Sequence, residues 1–274
     1  MTLALLKSLL TIAGGVLVGV SVLLYLMQDR LLFHPQRLTD GQLQAIRRQF
    51  PQAEEITLPV GDGVTLHGWL VKSNAARRPP LLIYFGGNAE EVSSHLGDAA
   101  LYPEWSLLLM NYRGYGRSGG RPTERALLDD ALLIHEAMTR RADVDPARIV
   151  VIGRSLGSGV AVHLAARRSL AGAILVTPYD SILAVARRHY PYAPVGLLLN
   201  HHFDSLAAAP AIRTPALFIA AEHDDAIPAP HARHLYEAWG GPKSWQLLPG
   251  TDHADIADHP DYAPQLSAFL ASLR

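Results

Sequence analysis

No cysteine occurs anywhere in the 274 residues. That one absence excludes disulfides, thiolate metal sites and a cysteine nucleophile together. It leaves the compartment open, because a chain without cysteine tolerates reducing and oxidising surroundings alike. Charge is also scarce. Charged residues make up 18 %, with 24 Lys and Arg against 25 Asp and Glu, for a net charge of −1. So neutral a chain carries no electrostatic footprint for nucleic acid, and no nucleic-acid partner is expected. Internal repeats are lacking, and so is low complexity beyond alanine-rich patches. Hydrophobic residues, by contrast, reach 49 %, and the length suits one large α/β domain or two small ones.

The densest apolar run stands at the amino end. Residues 8–27, SLLTIAGGVLVGVSVLLYLM, hold no charge; Lys7 precedes them, and Asp29 and Arg30 follow. About 20 apolar residues span the hydrocarbon core of a bilayer. Gly14 and Gly15 are better tolerated in a membrane helix than in a soluble one. A cleaved signal peptide needs small residues before its cut, and YLMQDR supplies none. Residues 1–28 are therefore expected to form a single-pass membrane anchor, and residues 29–274 a folded domain. Lys7 competes with Arg30, Arg37, Arg47 and Arg48 under the positive-inside rule, so neither side of the membrane is assigned to the domain. Leu31, Leu32 and Phe33 are expected to rest on the membrane surface.

Beyond the anchor, strand and helix alternate. Residues 55–72 read as a hairpin whose turn, Gly61-Asp62-Gly63, provides positive φ. Short apolar runs at 80–85, 105–112, 148–153, 172–177, 216–221 and 244–249 read as strands covered on both faces. Helical patterns fall between them, as at 122–141 and 260–274. The fold class predicted is α/β: a mostly parallel eight-stranded sheet with helices on both faces and an antiparallel opening edge. Residues 179–215 are too long for a plain connection and are expected to carry a small lid. Leu197, Leu198 and Leu199 within it suit either a pocket lining or a packed helix.

Two segments satisfy G-x-S-x-G, one at Gly116-Arg117-Ser118 and one at Gly153-Arg154-Ser155. A nucleophilic serine of this type follows a strand directly and opens a helix, which puts its hydroxyl on a sharp, exposed turn. Ser155 meets that condition: RIVVIG runs into it and LGSGVAVHLAARRSL runs out. Gly153, Gly157 and Gly159 keep the close-packed side of the turn small. Ser118 does not meet it, because its strand ends near Tyr112 and Gly119, Gly120 and Pro122 interrupt any helix. Gly114, Gly116 and Gly119 also spell G-x-G-x-x-G. No strand-to-helix turn holds them, so a dinucleotide site is not expected.

A serine hydroxyl needs a base, and the base an orienting carboxylate. Glu222, Asp224 and Asp225 follow the strand ALFIAA, and His253 lies in the loop after the last strand, with His259 in reserve. His223, His231 and His234 show no convergent carboxylate pattern, so no metal is expected. An oxyanion hole needs two amides. The amide of Leu156 and one from the loop GGNAEE after the strand PLLIYF are the candidates.

Together these motifs resemble the α/β-hydrolase superfamily, and within it the membrane-anchored serine hydrolases of the α/β-hydrolase-domain group. The resemblance covers residues 28–274 and is carried by LLFHPQ, YFGGNAE, NYRGYGRSGGRPTE, GRSLGSGVA, AEHDDAIP and PGTDH. It implies Ser155 as nucleophile, Asp224 rather than Asp225 as acid, His253 as base, and the amides of Leu156 and Asn88 as oxyanion donors. One departure stands out: the family usually has histidine where this chain has Gly86. The group includes carboxylesterases, thioesterases, lysophospholipases and monoacylglycerol lipases, which the motifs do not separate. The function implied is cofactor-free hydrolysis of carboxylic ester or thioester bonds of acyl-lipid or long-chain acyl substrates near a membrane. A peptidase or amidase, and a catalytically silent binding protein, are the alternatives on the same fold.

Overall fold

The computed structural model describes residues 3–61 and 63–273. Met1, Thr2 and Arg274, assigned above to the anchor and the domain, and Asp62, assigned to the hairpin turn, lie outside the described residues. Helix α1 (Leu3–Leu32) is followed by α2 (Asp40–Gln49) and the strands β1 (Ala53–Pro59), β2 (Thr65–Val71), β3 (Leu81–Phe85) and β4 (Ser106–Met110). Next come α3 (Glu124–Thr139), β5 (Ile149–Arg154), α4 (Leu156–Ala165) and β6 (Gly172–Val176). Three short helices, α5 (Ile182–His189), α6 (Val195–Leu198) and α7 (Ser205–Ala208), precede β7 (Ala216–Ala221). The chain closes with α8 (Ala229–Ala238), β8 (Lys243–Leu248) and α9 (Tyr262–Ser272).

One sheet joins all eight strands in the order β1-β2-β4-β3-β5-β6-β7-β8. The β1–β2 and β2–β4 pairs are antiparallel; the other five pairs are parallel. Gly61 and Gly63 take φ of 92° and 69° at the hairpin turn, a region that only glycine enters freely. Along the parallel strands the side chains alternate between two cores. Leu81, Ile83 and Phe85 face α3, α4 and α8; Leu82 and Tyr84 face α2 and α9. A strand buried on both faces must be apolar at every position, which is why these strands read as unbroken runs.

The strand order reverses at β3 and β5. The connection from β3 leads to β4 on one side, and the connection from β4 returns to β5 on the other. Such a switch point leaves a crevice beyond the carboxyl ends of its two strands, where ligands bind in open α/β sheets. Register sets the two loop starts side by side, with Phe85 opposite Gly153.

The α1 helix runs further than its apolar segment. It continues through residues 28 and 29, the expected domain boundary, to Leu32. Phe33 does not rest on a membrane surface: it is 3 % exposed and joins the core. Its ring packs edge-on against His201 at 5.2 Å. Here tertiary packing overrides the apolar character that the run shares with the anchor.

Candidate active site

Ser155 stands between β5 and α4 with φ 52° and ψ −118°. This is a costly conformation for a residue with a Cβ, about 1–3 kcal/mol. The turn persists because its neighbours leave no alternative. A Cβ on Gly157 would lie 2.0 Å from the Phe85 carbonyl oxygen, so α4 sits directly on the end of β3. On Gly153 it would lie 2.5 Å from the Gly157 carbonyl oxygen. Glycine at both positions lets strand and helix close to contact distance, and the serine between them is pushed out at the sheet's carboxyl edge.

Three of the predicted residues converge there. His253 Nε2 lies 2.9 Å from Ser155 Oγ, and His253 Nδ1 lies 2.7 Å from Asp224 Oδ2. A carboxylate only accepts hydrogen bonds, so the proton of this second contact sits on Nδ1, and Nε2 presents its lone pair to the serine. Asp224 is 5 % exposed, and its Oδ1 also accepts from the Ile227 amide at 2.6 Å. Asp225 is exposed, and Glu222 is engaged by the Gly250 amide at 2.9 Å. His259 has Asp261 as its nearest carboxylate, at 3.9 Å.

Leu156 is the first residue of α4, so its amide is one of those a helix leaves without an intrahelical partner. The loop 86–88 lies alongside, and its carbonyls are all tied away. The Tyr112 hydroxyl donates to Gly86 O at 2.8 Å, and the Glu90 amide reaches Gly87 O at 3.4 Å. Asn88 O accepts from the Tyr115 hydroxyl at 2.7 Å and from the His34 amide at 2.9 Å. In a trans peptide the N–H points opposite to the C=O. The carbonyls of Gly86, Gly87 and Asn88 therefore set the directions of the next amides along, those of Gly87, Asn88 and Ala89. A Cβ on Gly87 would lie 3.7 Å from Ser155 Cβ, and one on Gly86 would lie 2.8 Å from the Glu90 carboxylate. Glu90 thus fills the space that a larger residue 86 would need.

Glu90 belongs to a network below the site. Arg154 donates to Glu90 Oε1 at 2.6 Å and, from its other terminal nitrogen, to the carbonyls of His253 and Ala254 at 3.1 Å each. One guanidinium thus ties the 86–90 loop to the histidine loop. Burial alone would raise the Glu90 carboxyl, but His95, the Arg154 charge and the Tyr84 hydroxyl outweigh it and hold the pKa at about 2. Burial would likewise lower His95, yet Asp98 and Glu90 carry it up to about 9. A raised histidine contributes stability that is complete below its unfolded value near 6.5 and is lost as pH rises through 9. Thermal melting is accordingly expected to shift down between pH 7 and 9.5, and His95→Gln to flatten that slope. An unchanged slope in the variant would remove His95 as its source.

Sequence reasoning missed Arg154, Glu90, Tyr112, Tyr115 and His34. A signal did exist for the first: a charge following an apolar strand and flanked by glycine and serine needs a partner when half-buried. Ser118 plays a different part from Ser155. It is wholly buried, accepts from the His67 amide at 2.8 Å and donates to Asn111 O at 3.0 Å, stitching β2 to the end of β4. His231 and His234 do share a carboxylate, Asp180, at 2.9 and 3.3 Å, which fastens α8 to the start of the lid segment. Among the described residues no group of three or more His, Cys, Asp or Glu is placed to hold a metal.

A cavity of about 440 Å³ opens beside Ser155, His253 and Asn88. Its walls are mainly apolar and include Ile182 and Val185 of α5, Leu198 and Leu199 of the lid segment, and Ile227. Leu197, grouped with Leu198 and Leu199 by sequence, points outward and is 89 % exposed.

Residues 134–270 match the family model for serine hydrolases. The chain is 34 % identical over 239 residues to the uncharacterized protein Rv2307c of Mycobacterium tuberculosis, covering 86 % of this chain and 84 % of that one. It is 30 % identical over 260 residues to protein bem46 of Schizosaccharomyces pombe, with 89 % and 86 % covered. An α/β-hydrolase from Vibrio vulnificus matches its structure with a TM-score of 0.70 at 17 % identity, over 88 % of this chain and 92 % of the other. A Pyrococcus furiosus esterase matches at 0.68 and 17 %, over 88 % and 97 %. Identity this low speaks for the fold alone, whereas the sequence relatives and the family model speak for descent. The chain belongs to the serine hydrolase family and has the α/β-hydrolase fold.

Proposed function

We propose that this protein is a membrane-anchored serine hydrolase that cleaves carboxylic ester or thioester bonds of long-chain acyl substrates, acyl lipids among them. The observation that carries the reading is the relay Ser155–His253–Asp224, with contacts of 2.9 and 2.7 Å, opening on a mainly apolar cavity. His253 Nε2 removes the Ser155 proton as Oγ attacks the acyl carbonyl. The amides of Leu156 and Asn88 hold the tetrahedral oxyanion, a donor of this kind being worth about 3 kcal/mol. Asp224 stabilises the imidazolium, which then protonates the departing alkoxide or thiolate. Water, activated by the same imidazole, attacks the acyl-enzyme and releases the acid. No cofactor enters this scheme.

The anchor reading is supported by Lys7–Leu32, 26 residues long and strongly apolar, whose side chains from Lys7 to Val20 are all exposed. At 1.5 Å per residue the stretch is about 39 Å long, sufficient to cross a bilayer. Leu197, 89 % exposed, adds apolar surface on α6, the short lid-segment helix that packs against α1. The test is active-site labelling with a fluorophosphonate, followed by peptide mass spectrometry and rates on esters and thioesters from two to sixteen carbons. Label on Ser155 is expected in wild type and in Ser118→Ala, with rates rising beyond eight carbons. Label on another residue, or rates that peak at acetyl, would overturn the reading.

A further inference from the structure

From Lys7 to Val20 every α1 side chain is exposed, as an apolar helix outside a folded domain should be. The pattern changes in the last three turns. Ser21, Leu24, Gln28 and Leu32 become half-buried or buried, and their spacing of three and four residues puts them on one helix face. Gln28, only 8 % exposed, is fully used. Its Nε2 donates to the carbonyls of Tyr25 at 2.9 Å and Leu198 at 3.2 Å, and its Oε1 accepts from the Asn200 amide at 2.7 Å. The next residue, Asp29, meets His201 Nε2 at 2.9 Å through its Oδ1. The helix is thus latched to the lid segment by backbone and side-chain bonds that no plain tether requires. Beside this latch, Leu24, Tyr25, Leu31 and Leu32 line the same cavity as Ser155 and His253.

We propose that the carboxyl-terminal turns of α1 form a wall of the acyl-binding site, so that the helix selects the acyl chain as well as holding the protein at the membrane. The ligand class is a single long acyl chain, its carbonyl at Ser155 and its methylenes along Leu24, Tyr25, Leu31 and Leu32. A cavity of about 440 Å³ lies within the range, roughly 300–1,000 Å³, that encloses one such molecule. Each methylene buried there adds favourable apolar transfer, so long chains gain most from the wall and short ones least. The inference rests on Ser155 as the nucleophile.

The test uses the full chain reconstituted in phosphatidylcholine vesicles, with p-nitrophenyl butanoate and p-nitrophenyl dodecanoate as probes. Leu24→Trp fills the cavity from the helix side. It is expected to lower the ratio of kcat/KM for dodecanoate over butanoate at least tenfold. Leu26→Trp, at a position 72 % exposed and outside the cavity, is expected to keep the wild-type ratio within twofold. Should Leu24→Trp not fold, Tyr25→Ala serves in its place, with hexadecanoate gaining at least threefold over dodecanoate. A ratio unmoved by the folded Leu24 and Tyr25 variants, or moved equally by Leu26→Trp, would overturn the wall. Hydrolysis that survives Ser155→Ala would overturn the nucleophile instead, and the two failures are read from different variants.

Discussion

Ser155→Ala is expected to lower kcat on an ester substrate by about 10⁵–10⁶-fold. At 1.36 kcal/mol per factor of ten, that is about 7–8 kcal/mol of lost transition-state stabilisation. On the proposed mechanism the covalent route disappears entirely, leaving the proposed oxyanion donors, the amides of Leu156 and Asn88, and the binding cavity to assist water. Stability should barely change. Alanine keeps the Cβ at φ 52°, so the strain of the turn is neither relieved nor increased, and the lost hydroxyl contact faces a histidine that is 27 % exposed. Steady-state kinetics beside a melting curve separate the two effects. A fall below tenfold would show that another group carries the reaction; a matching fall in Tm would assign the rate loss to unfolding.

Asp224→Asn is expected to be nearly as severe, a fall of about 10⁴-fold in kcat with little change in KM. An amide at this position can offer an N–H to His253 Nδ1. The imidazole then places its own proton on Nε2, facing Ser155, and can no longer accept from the hydroxyl. The imidazolium also loses its buried counter-charge. Asp225→Asn supplies the comparison, since that side chain is exposed and Asp224 alone of the pair reaches His253; its rate should stay within twofold of wild type. If both variants lose activity equally, the choice between the neighbouring carboxylates is wrong.

The supporting structure explains how a loop with glycine at position 86 can remain ordered. Rigidity comes from outside the loop: Tyr112 and Tyr115 from the glycine-rich segment, the His34 amide from the chain leaving α1, and Arg154 through Glu90. Preorganised amides stabilise charge at little reorganisation cost, so these ties bear on rate although none touches substrate. They also connect the helix α1 to the site at two points, the 86–88 loop through His34 and the cavity wall through Gln28 and its neighbours.

The strands were legible because burial on both faces requires unbroken apolar runs, and the nucleophile turn because its signal is local. A strand, a glycine, a serine and a helix in succession specify the turn whatever the rest of the chain does. Order along the chain then brought Asp224 and His253 into view. The partners of the 86–88 loop were not legible, since nothing local marks a tyrosine as a donor to a distant carbonyl. Arg154 meets Glu90 across 64 residues and His253 across 99, and Gln28 meets Leu198 across 170. By itself the sequence determined the alternation of elements, the apolar helix and the strand-to-helix turn at Ser155, for these follow from periodicity and turn chemistry within a few residues. Only the tertiary structure decided that Phe33 is core, that Arg154 joins two loops and that α1 helps to wall the cavity. Each of those depends on which distant surfaces the sheet order brings together, and a one-dimensional pattern carries no term for that distance.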